Sequence, residues 1–199
     1  MSLKTSFVSY LYQKYPGLSS DLLDQITSEQ LLSPFQISLS QEQVYKIKNE
    51  INLYWQLRNW GEKNLTAKFF EYGLRKPANY SVCMSYDFHI NSEGLPELIE
   101  INTNSSFLAL GLELYEFLTL PNPVGSFCEE DLIKMFLNEL QLCGAQQNSI
   151  AIVDENPEQQ RLYLEFLVFK ALFEKNNITS DIFNIAEVDQ FRKFSLIYN

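Results

Sequence analysis

Hydrophobic positions along the chain change period from region to region, and each change predicts an element. Residues 3–32 repeat at helical spacing and read as one or two short helices, broken at Pro16-Gly17 and ended at Pro34. Ser40 opens a long helix. Gln43, three residues on, completes a capping box, and Val44, Ile47, Ile51, Tyr54 and Arg58 follow at helical spacing. Trp55 and Trp60 near its end are expected to pack in the core, and Gly61 is a candidate stop or kink.

From residue 81 the period falls to two. Val82, Met84, Tyr86, Phe88 and Ile90 alternate with Cys83, Ser85, Asp87 and His89. After Asn91-Ser-Glu-Gly-Leu-Pro96 the alternation resumes through Ile99 and Ile101, which predicts a β-hairpin with a six-residue loop. Residues 104–118 look helical, and Pro121 with Pro123 marks a linker. Ser126 with Glu129 forms a second capping-box pattern ahead of a helix carrying Leu132, Met135, Phe136 and Leu140, which ends at Gly144.

Beyond residue 149 the pattern is β-α-β. Ile150–Val153 is a short buried strand, and Asn156 caps a helix with Pro157 at its first position. That helix runs to Asn176 and is apolar nearly all round, so it should be buried on more than one side. Residues 182–185 and 194–199 read as further strands. The predicted fold class is therefore α/β: a helical N-terminal region, a hairpin, and the start of a Rossmann-like, doubly wound unit that looks truncated. Two regions are expected, 1–122 and 123–199, with a soft boundary at 119–128 or 145–148. The chain stops inside an apparent strand, which leads us to expect that the natural protein continues beyond Asn199.

Composition narrows the function classes. The 199 residues are 46% hydrophobic and carry a net charge of −10, with no 20-to-50-residue repeat. Such acidity argues against nucleic acid and against an anionic lipid surface as partners. The three cysteines, Cys83, Cys128 and Cys143, stand at no metal-ligand spacing, which excludes a zinc knuckle and suggests reduced thiols. With no apolar leader and no 18-residue apolar run, the expected location is cytoplasmic.

The hairpin carries the chemistry. Pairing Ile90 with Glu97 sets Phe88 opposite Ile99 and Tyr86 opposite Ile101 on the apolar face. The other face then sets Asp87 opposite Glu100 and Ser85 opposite Asn102. Facing carboxylates on a ladder have Cβ atoms roughly 4.5–5.5 Å apart and repel. A cation, a basic side chain or protonation of one acid must offset this. Residues 77–122 contain no Lys or Arg, so a divalent ion is the economical explanation. Asp87, Glu100 and the Asn102 amide offer hard oxygen ligands suited to Mg²⁺, and with His89 the only histidine no imidazole-rich site exists. The same residues also fit a solvent-facing strand with two acids and no ligand. A one-pair slip, setting Asp87 against Asn102 or Leu98, keeps the groups on one face.

Other residues have two readings each. His89 shares the face of Asp87 and either reaches a cofactor or is satisfied by a neighbour. Thr103 and Asn104 either cap the next helix or contact a phosphate. Glu155, Gln160, Arg161 and Glu165 sit at the front of a helix that follows a strand, a usual ligand position, although acids there also favour the helix dipole. Gln160 and Glu165 are the candidate substrate-binding residues.

The run Met84-Ser-Tyr-Asp87-Phe-His, followed by Gly94-Leu-Pro-Glu-Leu-Ile-Glu100-Ile-Asn102-Thr-Asn104, resembles the metal-binding strands of ATP-grasp enzymes. In that family an Asp on one strand and a Glu-x-Asn on the next hold the Mg²⁺ ions that bridge the ATP phosphates. The resemblance maps these onto Asp87, Glu100 and Asn102, with Asn104 and His89 as cofactor-side candidates. The Glu-x-Asn strand here precedes the α/β unit that begins at Ile150, which resembles the circularly permuted ATP-grasp proteins related to glutathionylspermidine synthetases. The likeness covers roughly residues 80–199. It implies an ATP-dependent ligase that joins a small-molecule carboxylate to an amine through an acyl phosphate, with Mg²⁺ and ATP as cofactors. The alternatives are a non-catalytic descendant that binds a small molecule or protein, and an interaction module built on the aromatic-rich N-terminal helices.

Overall fold

A computed structural model describes residues 2–32, 35, 37–73, 83–103, 105–122 and 125–199. The architecture is mixed α/β. Seven helices are present among these residues: α1 (Leu3–Lys14), α2 (Ser20–Ile26), α3 (Gln41–Glu71), α4 (Leu108–Phe117), α5 (Glu129–Leu142), α6 (Tyr163–Lys175) and α7 (Val188–Phe191). The strands are β1 (Ser85–Ile90) and β2 (Pro96–Asn102), then β3 (Ser149–Asp154), β4 (Thr179–Asn184) and β5 (Leu196–Tyr198). They form an antiparallel hairpin and a parallel sheet of order β4-β3-β5.

The chain divides into two compact units. One is Met1–Phe35 with Ser105–Asn199, and the other is Gln36–Asn104. The division between 122 and 123 suggested by the sequence falls inside the first of these. Lys14 of α1 is ion-paired to Glu113 of α4, and Glu165 of α6 is hydrogen-bonded to the start of α4, so the segments on either side of 122 belong together.

In the first unit the parallel sheet packs side chains on both faces, more completely on the side of α5 and α6. Successive strand residues point to opposite sides. Phe136 of α5 meets Phe169 and Phe173 of α6 edge-on, at 5.6 and 4.8 Å between ring centroids. Tyr198 of β5 closes this cluster against Phe136 and Phe169. The opposite face gathers Ala151, Val153, Phe183 and Phe191, with Phe194 packed against them. Helix α6 buries eight residues, as its all-round apolar character predicts.

Two helix starts differ from expectation. The α5 cap is Cys128 rather than Ser126: its N–H donates to Asp131 Oδ2 at 3.3 Å, so the helix frame begins two residues later. Asn156 does not cap α6. It lies at φ 47° and leads into a single 3₁₀ turn, Pro157–Gln159, and α6 begins only at Tyr163.

In the second unit α3 starts at the predicted capping box, with Ser40 N–H donating to Gln43 Oε1 and Gln43 N–H to Ser40 Oγ. It passes Gly61 without stopping and continues to Glu71. None of its residues is buried. Trp60, expected in the core, is exposed, and Trp55 is only partly covered, with the Arg58 guanidinium 5.6 Å over its ring. Tyr54 supplies a contact to the hairpin, stacked on Tyr86 at 6.4 Å. Among the described residues no helix is long and apolar enough to cross a membrane.

Candidate metal centre

The hairpin places Asp87 directly opposite Glu100 and Ser85 opposite Asn102, as the alternation predicts. Its loop is one residue shorter than expected, spanning 91–95. Asn91 organises this loop, its Oδ1 accepting the N–H groups of Glu93 and Leu95. Gly94 takes a left-handed conformation at φ 76° that suits a residue without Cβ.

Between Asp87 and Phe88 the register shifts. Phe88 pairs with Leu98 and Ile90 with Pro96, in place of the expected Ile99 and Glu97. Ile99 is the extra residue of a β-bulge, 63% exposed, and Ile101 is 40% exposed, so these two do not form the buried face assigned to them. The bulge lies next to the Asp87–Glu100 pair and leaves that pairing intact.

Asn102 links the two acids. Its Nδ2 donates to Glu100 Oε1 at 3.0 Å and approaches Asp87 Oδ2 at 3.4 Å and Ser85 Oγ at 3.5 Å. Two carboxylates, an amide and a hydroxyl thus converge on one half-open face. Among the described residues no group of three or more His, Cys, Asp or Glu gathers to hold a metal, so any cation here relies on the amide as its third ligand. Turning the Asn102 amide by half a rotation presents Oδ1 in place of Nδ2, which completes an all-oxygen set suited to a hard cation.

The remaining candidates have other partners. His89 lies on the same face, two residues along the strand from Asp87, and its Nε2 meets Glu97 Oε2 at 2.9 Å. Asn104 lies outside the described residues. Gln160 is exposed and donates from Nε2 to the Glu155 carbonyl at 2.6 Å. Glu165 is 1% exposed, and its carboxylate accepts the N–H groups of Ala109 and Leu110 at 3.0 and 2.8 Å. Burial pushes its pKa up to about 7, against the pull of those backbone donors.

The first unit also has a cleft of about 430 Å³ where the Pro157–Gln159 turn, α6 and β4 meet. Asn156, Tyr163, Lys170, Asp181, Asn184 and Glu187 are among its lining residues, and neither Gln160 nor Glu165 is. Comparison with protein-family models, with curated proteins and with solved structures gives no match.

Proposed function

We propose that this chain is part of an ATP-grasp-like, Mg-ATP-dependent carboxylate–amine ligase, and that Asp87, Glu100 and Asn102 hold its Mg²⁺. The carrying observation is the Asp87–Glu100 pair with the Asn102 amide bonded across it. A Mg²⁺ bound there would offset the like-charge repulsion and neutralise phosphate charge.

The order of parts supports the same reading. The Glu-x-Asn strand precedes a parallel sheet of order β4-β3-β5, which has the strand arrangement that begins a flavodoxin-like doubly wound domain. On this reading the sheet begins a doubly wound domain of a circularly permuted ATP-grasp protein, with the third strand beside the first and not beside the second as in the Rossmann order. In the reaction a substrate carboxylate oxygen takes the γ-phosphoryl group and ADP leaves. The amine nitrogen then attacks the acyl carbon, phosphate departs, and an amide forms. On this chain the roles are limited to fixing the phosphate-side cation through the two carboxylates and the amide.

The natural protein should release ADP from Mg-ATP when supplied with a carboxylate and an amine. Asp87→Asn and Glu100→Gln should each abolish that release while circular dichroism stays unchanged. Undiminished release by both variants contradicts the assignment.

A further inference from the structure

Helix α3 has a face that its packing on the hairpin leaves open. Leu53, Leu57 and Trp60 recur at i, i+4 and i+7, the spacing of one helical stripe, and are 54%, 60% and 56% exposed. Tyr54, which stacks on Tyr86, flanks this stripe on the side of Gly61, seven residues on, and leaves Leu53, Leu57 and Trp60 uncovered. Single exposed apolar residues are ordinary, but a stripe of this kind is what one helix buries against another.

The charges along this stripe are self-complementary. Lys46 and Glu50 extend it toward the N-terminus, and Asn64, Lys68 and Glu71 extend it toward the C-terminus. An antiparallel copy related by a two-fold axis between Leu57 and Gly61 sets Glu50 against the partner's Lys68 and Lys46 against the partner's Glu71. Leu57 then falls on the partner's Trp60 and Gly61. A parallel copy would instead set like charges together.

Two further observations favour a second copy as the occupant. Helix α3 has five basic residues (Lys46, Lys48, Arg58, Lys63, Lys68) and four acidic ones (Glu42, Glu50, Glu62, Glu71), a net of +1 in a chain of net −10. Two chains meeting through α3 therefore avoid most of the repulsion that other surfaces would bring. A Cβ at Gly61 would meet only Leu65 Cδ1, at 3.9 Å, so the packing of the described residues does not require glycine there. Glycine weakens a helix interior, and close approach of another backbone is a physical reason for it.

We propose that the chain self-associates through α3, two copies crossing antiparallel at Leu57, Trp60 and Gly61. Lys46 already bonds Glu42 at 2.7 Å, so the Glu50–Lys68 pair is the more discriminating contact. Sedimentation analysis of the whole protein over a concentration series tests this. The wild type should dimerise, and Leu57→Glu should be monomeric at concentrations where the wild type is a dimer. Because the charge pair occurs twice in the dimer, Glu50→Lys should raise the dissociation constant by about tenfold. Adding Lys68→Glu to Glu50→Lys should restore most of the affinity, with helix content unchanged throughout. A wild type that stays monomeric at every concentration overturns the proposal, and so does a dimer indifferent to Leu57→Glu or to the charge reversal.

Discussion

Glu165 caps helix α4 from far along the chain: its Oε2 accepts the N–H of Leu110, 55 residues before it, at 2.8 Å. Helix α4 needs this support because its own N-cap, Phe107, sits at φ 64° and offers no capping side chain. A carboxylate at a helix N-terminus also meets the positive end of the dipole. Desolvation opposes both effects and leaves the group titrating near neutrality, at about 7.

This has a pH signature. The ordinary value for the group is 4.5, so between about 4.5 and 7 the folded state retains a proton that the unfolded chain has released. The stabilising contribution is complete below about 4.5 and is lost as pH rises through about 7. Denaturant titrations should show the wild type losing stability relative to Glu165→Gln across that window, by up to about 3 kcal/mol. A pH-independent difference between the two proteins would refute the coupling.

The Lys14 ammonium joins α1 to α4. It contacts Glu113 at 2.8 Å and Glu116 at 2.7 Å, and the hydroxyls of Tyr10 and Tyr15 donate to Glu113 at 2.8 and 2.6 Å. Burial works against the Lys14 charge, yet the hydrogen bonds to Glu113 and Glu116 outweigh it and hold its pKa above the usual lysine range. Burial, reinforced by Glu113, raises both tyrosines. Glu113 is 2% exposed, so Lys14→Met strands a buried carboxylate and should destabilise by about 3 kcal/mol. Adding Glu113→Gln to that variant should recover at least about 1 kcal/mol. Simple additivity in chemical denaturation would argue against the pairing.

The facing acids of the hairpin make a prediction for stability as well. With a chelator present, Glu100→Gln removes like-charge repulsion opposite Asp87 and should stabilise by about 0.2–1 kcal/mol. Millimolar Mg²⁺ should raise the melting temperature of the wild type more than that of Glu100→Gln. Equal shifts in thermal scans would speak against cation binding between these residues.

The parts of this structure that were legible in the sequence rest on local periodicity. Two-residue alternation placed Asp87 opposite Glu100 and Ser85 opposite Asn102, and the Ser40–Gln43 signature located the start of α3. The bulge at Ile99 was not legible, because an inserted apolar residue beside Leu98 leaves the same composition in either register. Trp60 was misplaced because residue type alone does not say which helix face has a partner. The role of Glu165 depends on α4, more than fifty residues earlier, and no local pattern reports such a contact. Near residue 126 an apparent capping box competed with the Cys128–Asp131 pair two residues on, and local spacing alone does not choose between them.

Asp87, Glu100 and Asn102 make up the proposed cation site. Titration of the protein with Mn²⁺, followed by electron paramagnetic resonance of the free ion, tests it most directly, because Mn²⁺ accepts the same oxygen ligands as Mg²⁺. The wild type should take up Mn²⁺ saturably. Uptake should be lost in Asp87→Asn and Glu100→Gln and kept in Glu97→Gln, whose carboxylate lies on the same face but is held by His89 and Asn91. No uptake by the wild type at millimolar Mn²⁺, or equal uptake by all three variants, would contradict it.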